Sequence, residues 1–401
     1  MRFPGLVLIA GFALACSSCA TLEPEVVPLQ PVRNAGPYAA VPLDGFADGI
    51  HHWRNRYGDA YAKYDQSQII EIADNVLRYQ RSNGGWIENR DPTRILSEQE
   101  KIDLLKEKDN PTYSFDNRNI YSQIEYLSAV YSQTGDVRYR DSALRGLVLT
   151  FGAQYRNCGG WPHTVPGTES YHPYITMADE VTSGVLRMMR KIDVADEPFK
   201  WVDSSLRRRA GEALRRGDDC ILRLQVRQAD GRLAAWAGQY NPETLQPADG
   251  RTFELASVVS WESVEVVRYL MGIPRPTSKQ IASIQGAVGW FERSAITGWK
   301  IEQFPINPPI KYTYHTAKFD RRFVPDPDAP RIWARFYDLN DNSVVLANRD
   351  GKRVKEYSQI HQERRTGYAW YSTWPEEMLS RDYPTWKARM QAQGVELGGL
   401  Q

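Results

Sequence analysis

The sequence predicts a mainly α-helical chain, an α/α toroid of three helical hairpins with long irregular loops and one short β-hairpin. Three observations predict it. Apolar residues recur with a period near 3.6 over most of the chain. Three Gly-Trp turns close helices at equal intervals. A polar residue stands at the head of the helix that follows each turn.

The first residues lie outside the fold. Residues 1–15 read as a signal peptide, with Arg2 as the positive end and Phe3 to Ala15 as the apolar run. That run is too short to span a bilayer. Phe12-Ala13-Leu14-Ala15-Cys16 also has the form of a lipobox, in which Cys16 is acylated after cleavage. An exported protein is therefore expected, anchored at the outer membrane or periplasmic. Simple cleavage after Ala15 or Ala20 would leave it soluble. Residues 16–45 are rich in Pro and small residues and read as a flexible tether. Residues 46–401 read as one domain, long enough for a sizeable core.

Within that domain the helical stripes follow in order. Ile69, Ile72, Ala73, Val76 and Leu77 form the first, and Ile120, Ile124, Leu127 and Val130 the second. Leu144, Leu147, Val148 and Phe151 form a third, Val181, Val185, Met188 and Ile192 a fourth, and Val264, Val267 and Leu270 a fifth. Between them lies a repeat. Helices end at Gln80, Gln154 and Gln225, and Trp86, Trp161 and Trp236 follow, each 75 residues after the last. Glycine suits the turn past a helix end. Asp116, Asp179 and Ser257 to Ser260 then head the next helices, which predicts that three helix N-termini open on one mouth. Residues 296–356 lose the helical period. Val344-Val345-Leu346 followed by Asn348-Arg349-Asp350-Gly351-Lys352 reads as a hairpin. A last helix is expected from Glu376 to Ala392.

Composition narrows the function classes. The formal net charge is +1, so no broad field for nucleic acid is expected. A polyanion would have to be met by local arginines. The 12 Trp and 22 Tyr are a generous supply of flat faces for sugar rings, although most pack in cores. Zinc-protease, P-loop, dinucleotide and serine-hydrolase motifs are absent. The six histidines are scattered and read as local hydrogen-bonding residues. Cys158 and Cys220 could pair in an oxidising compartment, but sequence alone does not place them within reach.

Asp116-Asn117 and Asp179 are the leading polar positions. Each could simply cap its helix. Alternatively, two carboxylates and an amide oxygen on converging loops suit Ca2+, which takes six to eight oxygens at roughly 2.3–2.6 Å. Arg251, Arg321 and Arg335 lie in the aperiodic loops. Their planar guanidinium groups match uronate carboxylates, as surface arginines in general also could.

Several stretches then read together: Asn83-Gly84-Gly85-Trp86, Asp116-Asn117, Cys158-Gly159-Gly160-Trp161-Pro162, Ile175-Thr176 with Asp179, Asn241-Pro242-Glu243-Thr244-Leu245, Arg251 with Glu254-Leu255, Trp333-Ala334-Arg335-Phe336-Tyr337 and Arg364-Arg365-Thr366-Gly367-Tyr368-Ala369-Trp370-Tyr371. In order and spacing they resemble the pectate lyases of polysaccharide lyase family ten, over about residues 47 to 390. The resemblance implies an α/α toroid and calcium-assisted β-elimination of polygalacturonate to 4,5-unsaturated oligogalacturonates. By position it implies Asp116 and Asp179, with Asn117, as the calcium site. It implies Arg335 as the base at C5, and Arg251 and Arg321 as uronate-binding residues, with Arg322 adjacent to Arg321. A monomer is expected, with polygalacturonate as its partner and contact with a membrane only through a lipid on Cys16. Nearby calcium and cations would favour the neutral form of Arg335, and an arginine base predicts an alkaline optimum. The chain departs from the family at Glu88, where Lys is usual, at Ala178, where Asn is usual, and at Pro173-Tyr174 and Tyr240. Two other readings stay open: a glycoside hydrolase using Glu254 and Glu262, and a non-catalytic oligogalacturonate-binding lipoprotein.

Overall fold

A computed structural model describes residues 33–398. The signal peptide, Cys16 and most of the tether lie outside the described residues. Eleven α-helices occur among them: α1 Ala47–Tyr57, α2 Ile69–Tyr79, α3 Glu98–Lys106, α4 Tyr121–Thr134, α5 Val137–Ala153, α6 Val181–Asp193, α7 Ser204–Leu224, α8 Ser260–Met271, α9 Ser278–Ser294, α10 Gln362–Gly367 and α11 Tyr383–Ala392.

Local chemistry accounts for their ends. Asp136 accepts the Arg138 amide at the head of α5, and Asp203 accepts those of Ser205 and Leu206 at the head of α7. Ser97 with Glu100, and Thr277 with Gln280, form capping boxes on α3 and α9. Gly135 takes the left-handed conformation that lets α4 turn directly into α5. The helix stripes face the core as their period predicts, with one shift. On α5 the buried face carries Ala143, Gly146 and Leu147, and Val148 is exposed. The small residues there make room for Trp86, whose ring lies against Gly146.

The Gly-Trp repeat is built from the same contacts three times. The indole nitrogens of Trp86, Trp161 and Trp236 each donate to the helix just ended, at Val76, Thr150 and Ile221, all at 2.8 Å. The preceding Gln donates two ways. Gln80 bonds Gly84 and Ser142, Gln154 bonds Gly159 and Ala213, and Gln225 bonds Ala234 and Ser283. Each glutamine thus fixes its own turn and staples α2 to α5, α5 to α7, and α7 to α9.

The α/α toroid of three helical hairpins with irregular loops is not what the chain builds. The structure is 43% helix and 15% strand. Segments expected to be irregular loops pair as strands in six small antiparallel sheets. The physical reason lies in the backbone. Loops that cross a buried helix mouth must satisfy their N–H and C=O groups. The Trp86, Trp161 and Trp236 carbonyls accept from Ser114, Thr176 and Val259, which lead into α4, α6 and α8. Strands of two residues show no alternation in sequence. The longest strands, Trp299–Lys311 and Thr316–Pro325, form a ribbon across the aperiodic region. The short hairpin is present, with Leu346–Ala347 paired to Arg353–Val354. A second, smaller core of Phe253, Phe336, Tyr357, Tyr368 and Trp370 lies beside the main one. Cys158 and Cys220 form a disulfide, with Cα atoms 4.9 Å apart, between the second Gly-Trp turn and α7.

Candidate active site

The heads of α4 and α6 are strained. Asn117, Arg118 and Ile120 precede or enter α4 with φ of 52°, 60° and 70°, and Asp179 and Glu180 enter α6 at 51° and 58°. Such conformations are costly for residues with side chains and cluster at functional sites. They also overturn the capping reading. The residues in the cap positions are Ile120 and Glu180, and neither helix has a side-chain cap. Asp116 and Asp179 are instead turned toward one another.

Their electrostatics are interdependent. Burial works to raise the Asp116 carboxyl, but the His163 charge beside it and the neighbouring Asp179 carboxyl bring it below its ordinary value. Asp179 is held well above its ordinary value by burial and by the charges of Asp116 and Glu262. The two carboxyl groups therefore act on one another, with Asp116 pushed toward its charged form and Asp179 toward its neutral one. His163 Nε2 lies 3.3 Å from Asp116 Oδ1, an ion-pair distance without hydrogen-bond alignment. Burial disfavours the His163 charge, but Asp116 and Asp179 outweigh it and raise its pKa. The ring is fixed by Thr164 at 2.9 Å and by stacking on His172.

The donor set suits a hard cation in part. Asp116 Oδ1 is buried with no hydrogen-bond partner. Asn117 donates its amide nitrogen to Asn89 Oδ1 at 3.0 Å, which orients the amide oxygen. Among the described residues no group of three or more His, Cys, Asp or Glu gathers to hold a metal. A cation here would take two carboxylates from the protein and the rest of its oxygens from elsewhere.

The arginines approach from three distant segments. Arg335 is carried by backbone bonds from Arg335 N to Trp370 O and from Ser260 N to Arg335 O, both 2.8 Å. Its side chain is 7% exposed. Nε and Nη2 both donate to one oxygen of Glu262, and the guanidinium lies between the rings of Trp261 and Tyr368, 4.5 and 4.6 Å from their centroids. Arg251 is clamped by Glu254, with Nε on one carboxylate oxygen and Nη2 on the other, but its side chain is 48% exposed. Tyr368 also donates to Glu254, at 2.6 Å. Arg321 donates to the Tyr368 carbonyl at 3.1 Å, whereas Arg322 points to Glu302 across the ribbon. Of the two neighbours, Arg321 is the one turned toward the site.

Burial alone would lower both guanidinium groups. Glu262, Tyr368, Glu254 and Asp179 hold Arg335 well above its ordinary value, and Glu254 does the same for Arg251. The protein's own carboxylates thus favour the charged form of Arg335. Glu254 is raised by burial, but Arg251 brings it down to about 2. A carboxyl held that low cannot serve as the general acid of a glycoside hydrolase. Sequence reasoning missed His163 and Tyr368 as site residues, and it missed Glu254 and Glu262 as clamps on the arginines. Only Glu254 gave a signal for that role, by its spacing from Arg251.

Residues 80–379 match the family described as pectic acid lyase. The chain belongs to the pectic acid lyase family. It is accordingly an enzyme, a lyase acting on the polysaccharide pectate. Two solved structures are similar to it. One is an aspartate-to-alanine mutant of a family 10 polysaccharide lyase from Cellvibrio cellulosa, in complex with trigalacturonic acid. It is 26% identical, with a TM-score of 0.67 over 86% of this chain and 99% of that one. The other is a family 10 polysaccharide lyase from the same organism, 25% identical, with a TM-score of 0.67 over 87% and 99%. No curated protein matches.

Proposed function

We propose that this pectate lyase cleaves polygalacturonate by calcium-assisted β-elimination at the mouth where Asp116, Asp179, Arg251 and Arg335 meet. The observation that carries the proposal is the pair of buried carboxyl groups brought together and faced by two clamped guanidinium groups. Such a pair, with a buried oxygen left unbonded, favours a divalent cation over two protons. Asp116 and Asp179 would hold Ca2+, with the Asn117 amide oxygen beside them. When bound, it would supply Lewis-acid stabilisation of the charge that builds on the substrate carboxylate as C5 loses its proton. Arg251 and Arg321 would bind uronate carboxylates, each orienting a planar donor edge.

An arginine is the base in either of two readings. The resemblance gives the role to Arg335. Asp179 in its charged form helps keep Arg335 protonated, so a cation bound to that carboxylate would ease proton loss. A second reading gives the role to Arg251. It is favoured by exposure, since Arg251 is 48% accessible and Arg335 only 7%. Both readings require an alkaline optimum, because arginine resists deprotonation.

The test follows absorbance of the unsaturated product from polygalacturonate with Ca2+ and with chelator. Chelation should abolish the signal. The Ala and Lys variants of Arg335 and Arg251 then separate the readings. The base variant loses at least about a thousandfold in kcat, as expected when an essential proton-transfer group is lost. The binding variant chiefly raises KM. Near wild-type product release by both alanine variants would defeat the mechanism.

We further propose export, supported by the disulfide, which belongs to an oxidising compartment. No helix among the described residues is long and apolar enough to cross a membrane. Anchoring would rest on Cys16, so Cys16→Ala should move the protein out of the membrane fraction, and labelled palmitate should mark only the wild type.

A further inference from the structure

Most tryptophans in this chain are explained by packing. Six of the twelve are fully buried: Trp86, Trp161, Trp236, Trp290, Trp333 and Trp370. Each donates its indole nitrogen to a protein acceptor. Trp299, exposed on the ribbon, stacks on Phe323. Trp261 fits neither pattern. It stands on the first turn of α8, is 40% exposed, and has no described acceptor for its indole nitrogen. Trp374, two residues past the strand Tyr371–Ser372, comes from a distant segment and stacks on it. The two planes lie 5° from parallel, with centroids 5.3 Å apart.

The position of this pair matters more than its exposure. Trp261 lies directly on the Arg335 guanidinium and next to Glu262, which clamps it. Strand Tyr371–Ser372 pairs with Trp333–Ala334, so Trp374 flanks the same segment from the other side. The stacked indoles therefore extend the Arg335 wall of the mouth outward as an apolar surface. Elsewhere the mouth carries mainly polar groups: the carboxyls of Asp116 and Asp179, the clamped arginines, His163 and the Tyr368 hydroxyl. Exposed aromatic surface of this kind, joined to a polar site, marks a binding surface. A flat indole face attracts the C–H face of a pyranose ring, and the indole N–H can donate to a hydroxyl.

We propose that Trp261 and Trp374 form a sugar subsite that holds one galacturonate unit of the polymer next to Arg335, through its ring face rather than its carboxylate. The subsite accepts a methyl-esterified unit as readily as a free acid, because neither indole contacts charge to charge. This inference rests on the function proposed above.

The test uses Trp374→Ala, Trp261→Phe and Trp261→Ala in the full-length enzyme. Trp374 does not touch Arg335, so its variant separates sugar binding from support of the arginine. Trp374→Ala should raise KM about five- to tenfold, the loss of roughly 1 kcal/mol of stacking, with kcat within twofold. The rise should be equal on pectate and on partly methylated pectin. Trp261→Phe should recover most of the loss seen in Trp261→Ala. Quenching of tryptophan fluorescence by pentagalacturonate in chelator should weaken in Trp374→Ala. Unchanged KM and unchanged quenching in Trp374→Ala would overturn the proposal, as would a fall in kcat alone. If the wild type cleaves no pectate, the functional reading has failed instead. The fluorescence titration then decides the subsite independently.

Discussion

At the scale of single residues, the site is an arrangement of charges that each need a specific neighbour. Glu254 shows the cost of removing one. It is raised by burial and then drawn down to about 2 by Arg251 and by hydrogen bonds, from an ordinary value of 4.5. A depressed carboxyl stabilises the fold above its unfolded value and loses that contribution as pH falls through the folded one. Glu254→Gln should therefore cost up to about 3 kcal/mol at pH 7. The gap to wild type should close between about pH 4.5 and about pH 2, followed by denaturant unfolding across pH. The same variant releases Arg251 and should raise KM for pectate. At this scale the sequence was half legible. Asp116 and Asp179 stood out because they precede helices, yet they are not caps. Their strained backbones turn them to each other. Glu262 and Tyr368 act on Arg335 across 73 and 33 positions of chain, and no local spacing could join them.

At the scale of elements, helices were legible and strands were not. A 3.6 period survives over four turns, so α2, α4, α6 and α8 could be read from their apolar stripes. The strands that aim their heads are two residues long and draw their reason from buried backbone rather than from side-chain pattern. The Gly-Trp repeat lay between these cases. Its spacing was visible, but the glutamines proved to be its fasteners. Gln154 donates to the Gly159 carbonyl within its own turn and to the Ala213 carbonyl on α7, both at 2.8 Å, and accepts from Arg216. Gln154→Ala leaves the Gly159 carbonyl without its donor and unties Ala213 on α7, and it should cost roughly 1–3 kcal/mol, as for one orphaned buried group. Gln154→Glu keeps the shape but loses both donors and should be no better. Thermal unfolding checks both. An exposed glutamine such as Gln391, changed to Ala as a control, should leave the midpoint within a degree.

At the scale of the whole molecule, the mouth exists because successive layers hold one register. Helices α2, α5, α7 and α9 are stapled in sequence by glutamines, and the heads of α4, α6 and α8 are tied to the intervening turns. The Cys158–Cys220 disulfide crosses this system at one joint, between the second turn and α7, closing a loop of 62 positions. Sequence showed two cysteines but not their distance, since that distance is set by how α5 and α7 pack. By the chain-entropy relation, a loop of this length restricts the unfolded chain by about 4 kcal/mol. The paired variant Cys158→Ser with Cys220→Ser should therefore unfold at markedly lower denaturant with little change in slope. Trp161 and Asp179 follow the same turn, so the loss should reach the site: lyase activity should fall at elevated temperature well before it falls at 25 °C. Reductant added to the wild type should reproduce both effects and leave the double variant unmoved. If reductant lowers the midpoint of the double variant equally, the stabilisation does not come from this bond.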